Sequence, residues 1–553
     1  MYDYAICGGM IIDGTGAARF HGDIGITGDR IAAVGTLTEP AKTVIDATGH
    51  IVAPGFIDIH THYDAQLFWD PKLTPSSWYG ITTVVSGNCG FGLAPVRPED
   101  AETLCQVLAG AEGMDLQALR VGVPWGRYET FSEYLEVLDA IPKQLNMGLL
   151  VGHTTLRLYA MGKAAMDRTA TPGELDTMAS PLRDMLSAGA MGFSTSREAV
   201  HRTSDGRPVP SLAANMDEVM RLCDVVGGSG SGVIEFSPGN PRADTALSNK
   251  AMCEIASRTG RPVTWAALLT EHFSPEQIQT VLDEISVASG RVLPQIGCRP
   301  LMFQISLEDP YAFNNIPAFE PVVKGDFPTR KKLYADAKWR AQAGPEIERI
   351  RGGTFWQRTI VQESSVHASL INGPTIAELA ERSGRPPFDE MVHLASQEDY
   401  KTRFGAILAN NDEKGVGELL LNDRCLLGIA DAGAHANQLC DASYPTDLLG
   451  HWCRELQVLS LEKAIWRMTG HPAEVYGITR RGALKPGHFA DIVVFDPETI
   501  SHGPLQRIAD FPAGAERLVA PSMGIQSVWV NGVRISGAEG GNAFPGRILR
   551  SGR

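Results

Sequence analysis

A (β/α)8 barrel beside a small β-sandwich is the fold class predicted for this chain, on three observations. Short apolar runs alternate with helical stretches through the middle of the sequence, the pattern of βα units around a parallel sheet. Eight such runs occur between residues 54 and 477, enough to close a barrel. Both ends of the chain read differently, as β-type runs separated by turns, so they predict one discontinuous domain made of residues 1–53 and 478–553.

In chain order, residues 1–53 carry the runs 4–6, 10–14, 23–26, 30–35 and 43–47, each bounded by Gly or Asp. The first barrel strand is expected in 51–60, ending at His60. The others are expected in 81–89, ending at Cys89, in 147–153, ending at His153, and in 191–196, 232–236, 262–266, 292–296 and 426–431, the last ending at Asp431. The interval of about 300–412 separates the last two and is read as an insertion. Its stretch 310–317 is rich in aromatic and turn residues, which suits either a lid over the barrel mouth or a helical subdomain that only packs. At the far end the runs 482–496 and 525–535 return to the β style, with Asn531-Gly532 as a two-residue hairpin signal. An open doubly wound sheet is the alternative, but no G-x-G-x-x-G turn follows the first strand. The glycine-rich 227–232 precedes a strand and lacks Gly-Lys-Ser/Thr, so it reads as a connection, not a phosphate loop.

Composition narrows the function. The chain has 553 residues, 43% hydrophobic and 20% charged, the balance of a globular protein. A net charge of −15, from 49 basic and 64 acidic residues, argues against nucleic acid or an anionic membrane as partner. No signal-like leader or long apolar span is evident. Nine cysteines without CxxC pairs suit a reducing compartment, so a cytoplasmic enzyme acting on a small molecule is expected, compatible with a homo-oligomer.

The chemistry is concentrated at strand ends. On a strand, residues two apart face the same way, so His60 and His62 would emerge together as a metal-ready pair; the alternative is two satisfied histidines at a strand end. Glu235 sits inside the apolar run 233–236, where a lone buried charge is unfavourable; it reads as a zinc ligand or as an outward-facing residue that meets a helix. His153 could donate to a developing oxyanion, and Arg157 could receive a substrate carboxylate. Both could equally be structural. His201 and His435 are further residues expected at the mouth.

The motifs 52–64 (V-A-P-G-F-I-D-I-H-T-H-Y-D), 80–92 (G-I-T-T-V-V-S-G-N-C-G-F-G), 189–195, 428–435 and 482–491 together resemble the amidohydrolase superfamily, in particular its N-acyl-D-amino-acid deacylase (D-aminoacylase) branch. The resemblance implies a TIM barrel beside a terminal β-sandwich and hydrolysis of an amide by a zinc-activated water. It implies that His60, His62 and Asp431 surround one metal position, with Cys89 as a further ligand and Asp431 as general acid and base. The chain departs from the branch where strands five and six should each supply a histidine: it has Glu235 in one and Trp265 in the other. A lysine after the strand-six histidine also has no counterpart.

The expected function is therefore a metal-dependent hydrolase cleaving the amide of a small N-acyl amino acid or related compound. Its site would be Zn2+, one ion in preference to two, held by His60, His62 and Asp431 and completed or tuned by Glu235 or Cys89. Asp431 and His153 are the expected catalytic groups, with Arg157, His435 and His201 toward the substrate. The alternatives are an esterase or lactonase on the same site, a lyase that keeps the metal, and a metal-free binding protein on this fold.

Overall fold

The two chain ends share one sheet. Its eight strands run from the hairpin Ile525–Val530 and Val533–Arg534 through Ile492–Phe495, Ile51–Pro54, Tyr2–Ile11 and Phe20–Thr27 to Arg30–Gly35, with Ala41–Asp46 paired in parallel to Tyr2–Ile11. Alternation along each strand gives the sheet two apolar faces. Ile492 and Val494 point into one cluster with Ile6, Ile24, Ile26 and Trp529. Val493 and Phe495 point the other way, into the main core. Asn531 and Gly532 both adopt positive φ, the conformation a tight two-residue hairpin needs. The computed structural model describes residues 1–239, 247–536 and 541–552. No helix among them is long and apolar enough to cross a membrane.

The middle of the chain is a succession of parallel strands. Phe56–Asp58 pairs with Ile81–Ser86, and this with Asn146–Leu149. Val151–Gly152 continues the order into Gly192–Ser196, Val233–Ser237, Val263–Trp265, Val292–Ile296 and Leu426–Leu427, each parallel to the one before. First and last come together where Thr61 bridges Ala432 in parallel and the His62 amide donates to the Ala432 carbonyl at 2.7 Å. Helices including Ala101–Ala111, Pro172–Ala188, Met216–Ser229 and Asn249–Thr259 connect the strands. Thr171 and Asn215 cap two of them, each accepting from the backbone three residues on.

Two strands stop short of the sequence expectation. The run 81–89 leaves the ladder after Ser86, because Gly87 at φ 85°, Cys89 at φ 55° and Gly90 at φ 77° turn the backbone inward. The run 426–431 is a strand only over Leu426–Leu427, after which Gly428 and Asp431 take positive φ. In both places the turn aims a polar side chain, Cys89 or Asp431, over the strand ends.

The insertion is a unit with its own core. Leu301–Ile305, Thr359–Glu363 and Arg403–Ala409 form an antiparallel sheet. Helices Ala337–Arg351 and Pro387–Ser396 pack Trp339, Trp356 and Phe388 into a separate aromatic cluster. It also reaches the strand ends: the Tyr311 hydroxyl donates to the Ala111 carbonyl at 2.7 Å.

The junction between first and last strands depends on Gly433. Its φ is 97°, and an added Cβ would stand 2.5 Å from the His62 carbonyl oxygen. Gly487 has a similar φ of 85° with nothing within 4 Å. Gly433→Ala is therefore expected to lower the thermal unfolding midpoint clearly more than Gly487→Ala, whose penalty is the left-handed backbone alone, about 1 kcal/mol. Equal shifts by scanning calorimetry would contradict the close approach described here.

Candidate metal centre

The pair His60 and His62 is carried past the end of Phe56–Asp58 into a buried pocket, both side chains 2% exposed. Asp431 arrives from the last strand and joins them through one oxygen: its Oδ1 lies 3.3 Å from His60 Nε2 and 3.3 Å from His62 Nε2. The Asp431 side chain is 23% exposed, so of this trio it is the one open to solvent. His60 is oriented from behind, because Gln295 Oε1 lies 2.7 Å from its Nδ1 and accepts the proton there, directing Nε2 at the cluster. The Cys89 sulfur is 3.4 Å from His60 Nε2. Glu235 Oε2 accepts the Cys89 amide at 2.9 Å, which pins the tight turn and brings Glu235 to the same place.

Glu112 was not singled out by its sequence position, yet it belongs to the site. It follows the helix Ala101–Ala111 directly and is 2% exposed, with Oε2 3.5 Å from His62 Nε2. An acidic residue closing a helix resembles any surface glutamate in a sequence, and only the tertiary fold buries this one. Its carbonyl accepts the His435 amide at 2.7 Å.

Asp58, Asp64, Glu112 and Glu235, all buried, and the partly exposed Asp431 thus crowd two histidines. Burial pushes the carboxyls of Asp58, Glu112 and Glu235 up to about 7, and that of Asp64 to about 6. Asp431 goes the other way: burial raises it, but the imidazoles of His60 and His62 beside it outweigh this and hold it well below the usual carboxylate range. Burial opposes a charge on His62, yet Glu112 and Asp431 beside it raise its pKa to about 9. Burial, then the charges of Glu235, Glu112 and Asp431, push the Cys89 thiol well up.

These residues fit a divalent cation. His62 Nε2, Glu112 Oε1 and Glu235 Oε1 are buried without a hydrogen-bond partner, which is unfavourable unless something else binds them. Two triads bring their ligand atoms within 4.8 Å of one another: His60, His62 and Cys89, and His62, Glu112 and Asp431. Imidazole, carboxylate and thiolate are the donors zinc takes.

His201 and His435 stand beside the cluster. His201 Nδ1 is 2.7 Å from Ser196 Oγ, which also accepts the Glu198 amide. Burial, then the neighbouring imidazoles of His435, His62 and His60, keep His201 neutral with a pKa of about 3. His435, at φ 47°, packs its ring against Tyr311 and Phe303 of the insertion, with centroids 5.0 and 5.3 Å away, and leaves Nδ1 unpartnered. Burial holds its pKa at about 4.

His153 and Arg157 need correction. Both ring nitrogens of His153 are taken, Nδ1 by Thr195 Oγ1 at 2.7 Å and Nε2 by Glu218 Oε1 at 2.8 Å. Arg157 is fully buried and directs its guanidinium to Glu218 and to the carbonyls of Ala165 and Arg168. Neither has a donor left for an oxyanion or a substrate carboxylate. Their partner Glu218 lies on Met216–Ser229, more than sixty positions away in sequence, so local reading missed the triad.

The fold and this cluster define a metal-dependent hydrolase class, and comparison with known proteins agrees. The amidohydrolase family matches over residues 43–535, and the chain belongs to that family. It is therefore a hydrolase acting on amide C–N bonds. It is 30% identical to a D-aminoacylase of Alcaligenes xylosoxydans xylosoxydans over 97% of this chain and 94% of that protein. To an N-acyl-D-aspartate deacylase of the same organism it is 31% identical, over 100% and 95% respectively. Among solved structures, an N-acyl-D-glutamate deacylase from Bordetella bronchiseptica, complexed with zinc and a phosphonate mimic of the tetrahedral intermediate, is similar at 28% identity. Its TM-score is 0.69 over 99% of both chains. A D-aminoacylase with a binuclear metal centre is similar at 27% identity and a TM-score of 0.68 over 100% of both. These neighbours imply a TIM-barrel-type α/β fold.

Glu218→Gln is expected to destabilise the protein by about 3–5 kcal/mol, because it strands the buried Arg157 charge. Burial would raise the Glu218 carboxyl, but His153 and Arg157 outweigh it and hold it at about 2, below the usual carboxylate value of 4.5. A depressed folded-state pKa contributes stability that is complete above the unfolded value and lost on acidification. The gap between wild type and variant should thus be constant above about pH 5 and shrink from about pH 4.5 toward pH 2 in denaturant titrations. A gap that widens on acidification would refute the assignment.

Proposed function

We propose that this chain hydrolyses the amide of a small N-acyl amino acid or related compound, using one Zn2+ held by His60, His62 and Asp431. The observation that carries the reading is the convergence of two imidazole nitrogens on a single carboxylate oxygen at 3.3 Å, at strand ends, beside buried polar atoms that lack partners. The deacylase relatives support the substrate class. Glu235 and Cys89, on the His60 side, tune the charge around that ion. The architecture that goes with this reading is a closed barrel over residues 54–477 and a sandwich domain of residues 1–53 and 478–553 in which the shared eight-stranded sheet is one layer.

When bound, zinc supplies Lewis acidity, lowering the pKa of water and polarising a carbonyl. Asp431, the exposed member of the trio, takes the proton of the attacking water and returns it to the leaving nitrogen. Gln295 fixes the His60 tautomer so that Nε2 keeps its lone pair toward the cluster. With His153 committed to Glu218, the donor to the developing negative oxygen is His201, which stands beside the cluster with Nδ1 against Ser196. With Arg157 also committed, a substrate carboxylate falls to Arg202, which lines a cleft together with Gly113 beside Glu112 and Tyr311 beside His435. His435 forms the wall between that cleft and the reacting bond.

Glu235 and Trp265, standing where the deacylase branch has histidines, favour a second reading, an ester or lactone substrate attacked in the same way. A screen of N-acyl-D- and N-acyl-L-amino acids, simple amides and lactones against zinc-loaded protein separates the two. Hydrolysis of the N-acyl amino acids is expected, together with its loss on chelation and recovery with added zinc. His62→Ala should abolish both turnover and metal uptake. Arg202→Met should raise KM for carboxylate-bearing substrates more than it lowers kcat. Wild-type protein that stays below about 0.2 metal per chain after incubation with Zn2+ or Mn2+ would make this a metal-free binding protein instead.

A further inference from the structure

We infer that Glu112 is a direct ligand of the metal ion, binding it together with His62 and Asp431; this rests on the metal reading above. Bonds of 2.0–2.1 Å in a tetrahedral site put neighbouring ligand atoms about 3.3–3.4 Å apart. His62 Nε2 lies 3.3 Å from Asp431 Oδ1 and 3.5 Å from Glu112 Oε2, the spacing of atoms around a shared ion. The three residues keep their ligand atoms within 4.8 Å of one another. Two atoms at this place are buried and unpartnered, His62 Nε2 and Glu112 Oε1, on side chains 2% and 3% exposed.

The placement of Glu112 is otherwise unfavourable in three ways. It stands at the C-terminal end of the helix Ala101–Ala111, where the helix dipole repels an anion. It is buried, and it faces a second carboxylate across His62. The backbone nonetheless holds it there: its amide donates to Leu108, its carbonyl accepts from His435, and Gly113 at φ 58° turns the chain immediately afterwards. A Cβ on Gly113 would come within 2.7 Å of His435 Nδ1, so the turn is fitted closely against the site. A cation between Glu112, Asp431 and His62 removes all three penalties. His62, Glu112 and Asp431 would then bind the ion, without a histidine from Val233–Ser237 or Val263–Trp265.

The test is metal affinity and spectroscopy on the full chain, with turnover left aside. Apo-protein is titrated with Co2+ and Zn2+ against a chromophoric chelator, and the visible bands of the Co2+ form are recorded. Glu112→Gln is expected to weaken Co2+ binding at least about tenfold, the loss that even an outer-shell substitution brings, and to shift the bands. Asp64→Asn removes an equally buried charge that accepts the Gly87 amide and belongs to neither triad, and should cost less affinity and leave the bands in place. Wild-type affinity and spectrum in Glu112→Gln would overturn the inference while leaving the metal reading intact. So would an equal loss in both variants, which would signal bulk charge. Wild-type protein that binds neither ion would overturn both. Should circular dichroism show Glu112→Gln unfolded, Glu112→Asp decides, since drawing the oxygen back by one methylene weakens binding only if that oxygen is a ligand.

Discussion

Negative charge crowded into a largely buried pocket is the constraint around which this structure is organised. Asp58, Asp64, Glu112, Glu235 and Asp431 share a space with His60 and His62, and hydrogen bonds between them leave several buried oxygens unsatisfied. Such a concentration of carboxylates has high free energy unless protons or a cation enter. The raised values for Glu112, Glu235 and Asp58 describe the proton solution, and the spacing of ligand atoms describes the cation solution. Both fill one site, so metal uptake and proton release are linked.

The backbone accepts local strain to maintain this arrangement. Cys89, Asp431 and His435 all adopt left-handed φ, which non-glycine residues rarely do. Each lies where a strand or its following loop turns inward. The neighbouring glycines at 87, 90, 428 and 433 leave room for the turns, and the bridge between Thr61 and Ala432 fixes the first and last strands relative to each other. The geometry of His62 and Asp431 therefore follows from the joining of these two strands.

Local patterns in the sequence exposed part of this. The His-x-His spacing at a strand end, the lone Glu235 in an apolar run and the Asp after the last strand all pointed to residues that converge. The hairpin at Asn531-Gly532 and the β-rich ends were equally legible, because turn chemistry and alternation are short-range signals. Glu112 was not, since its significance comes from burial at a helix end that no nearby residue announces. His153 and Arg157 were misread for the same reason: a strand-end histidine and a following arginine look available until Glu218, from a distant helix, claims both. Pairings that span the fold leave no periodic trace in the chain.

The aromatic-cored insertion adds a last point. It holds together through Trp339, Trp356 and Phe388, independently of the main core, yet contributes Phe303 and Tyr311 to the wall behind His435. Under the function proposed above, chemistry and selectivity would sit in separate pieces of polypeptide. Substitutions that reshape Phe303 or Tyr311 would then alter what is admitted while the ligating atoms stay put, giving the protein a route by which its diet can drift with its reaction conserved.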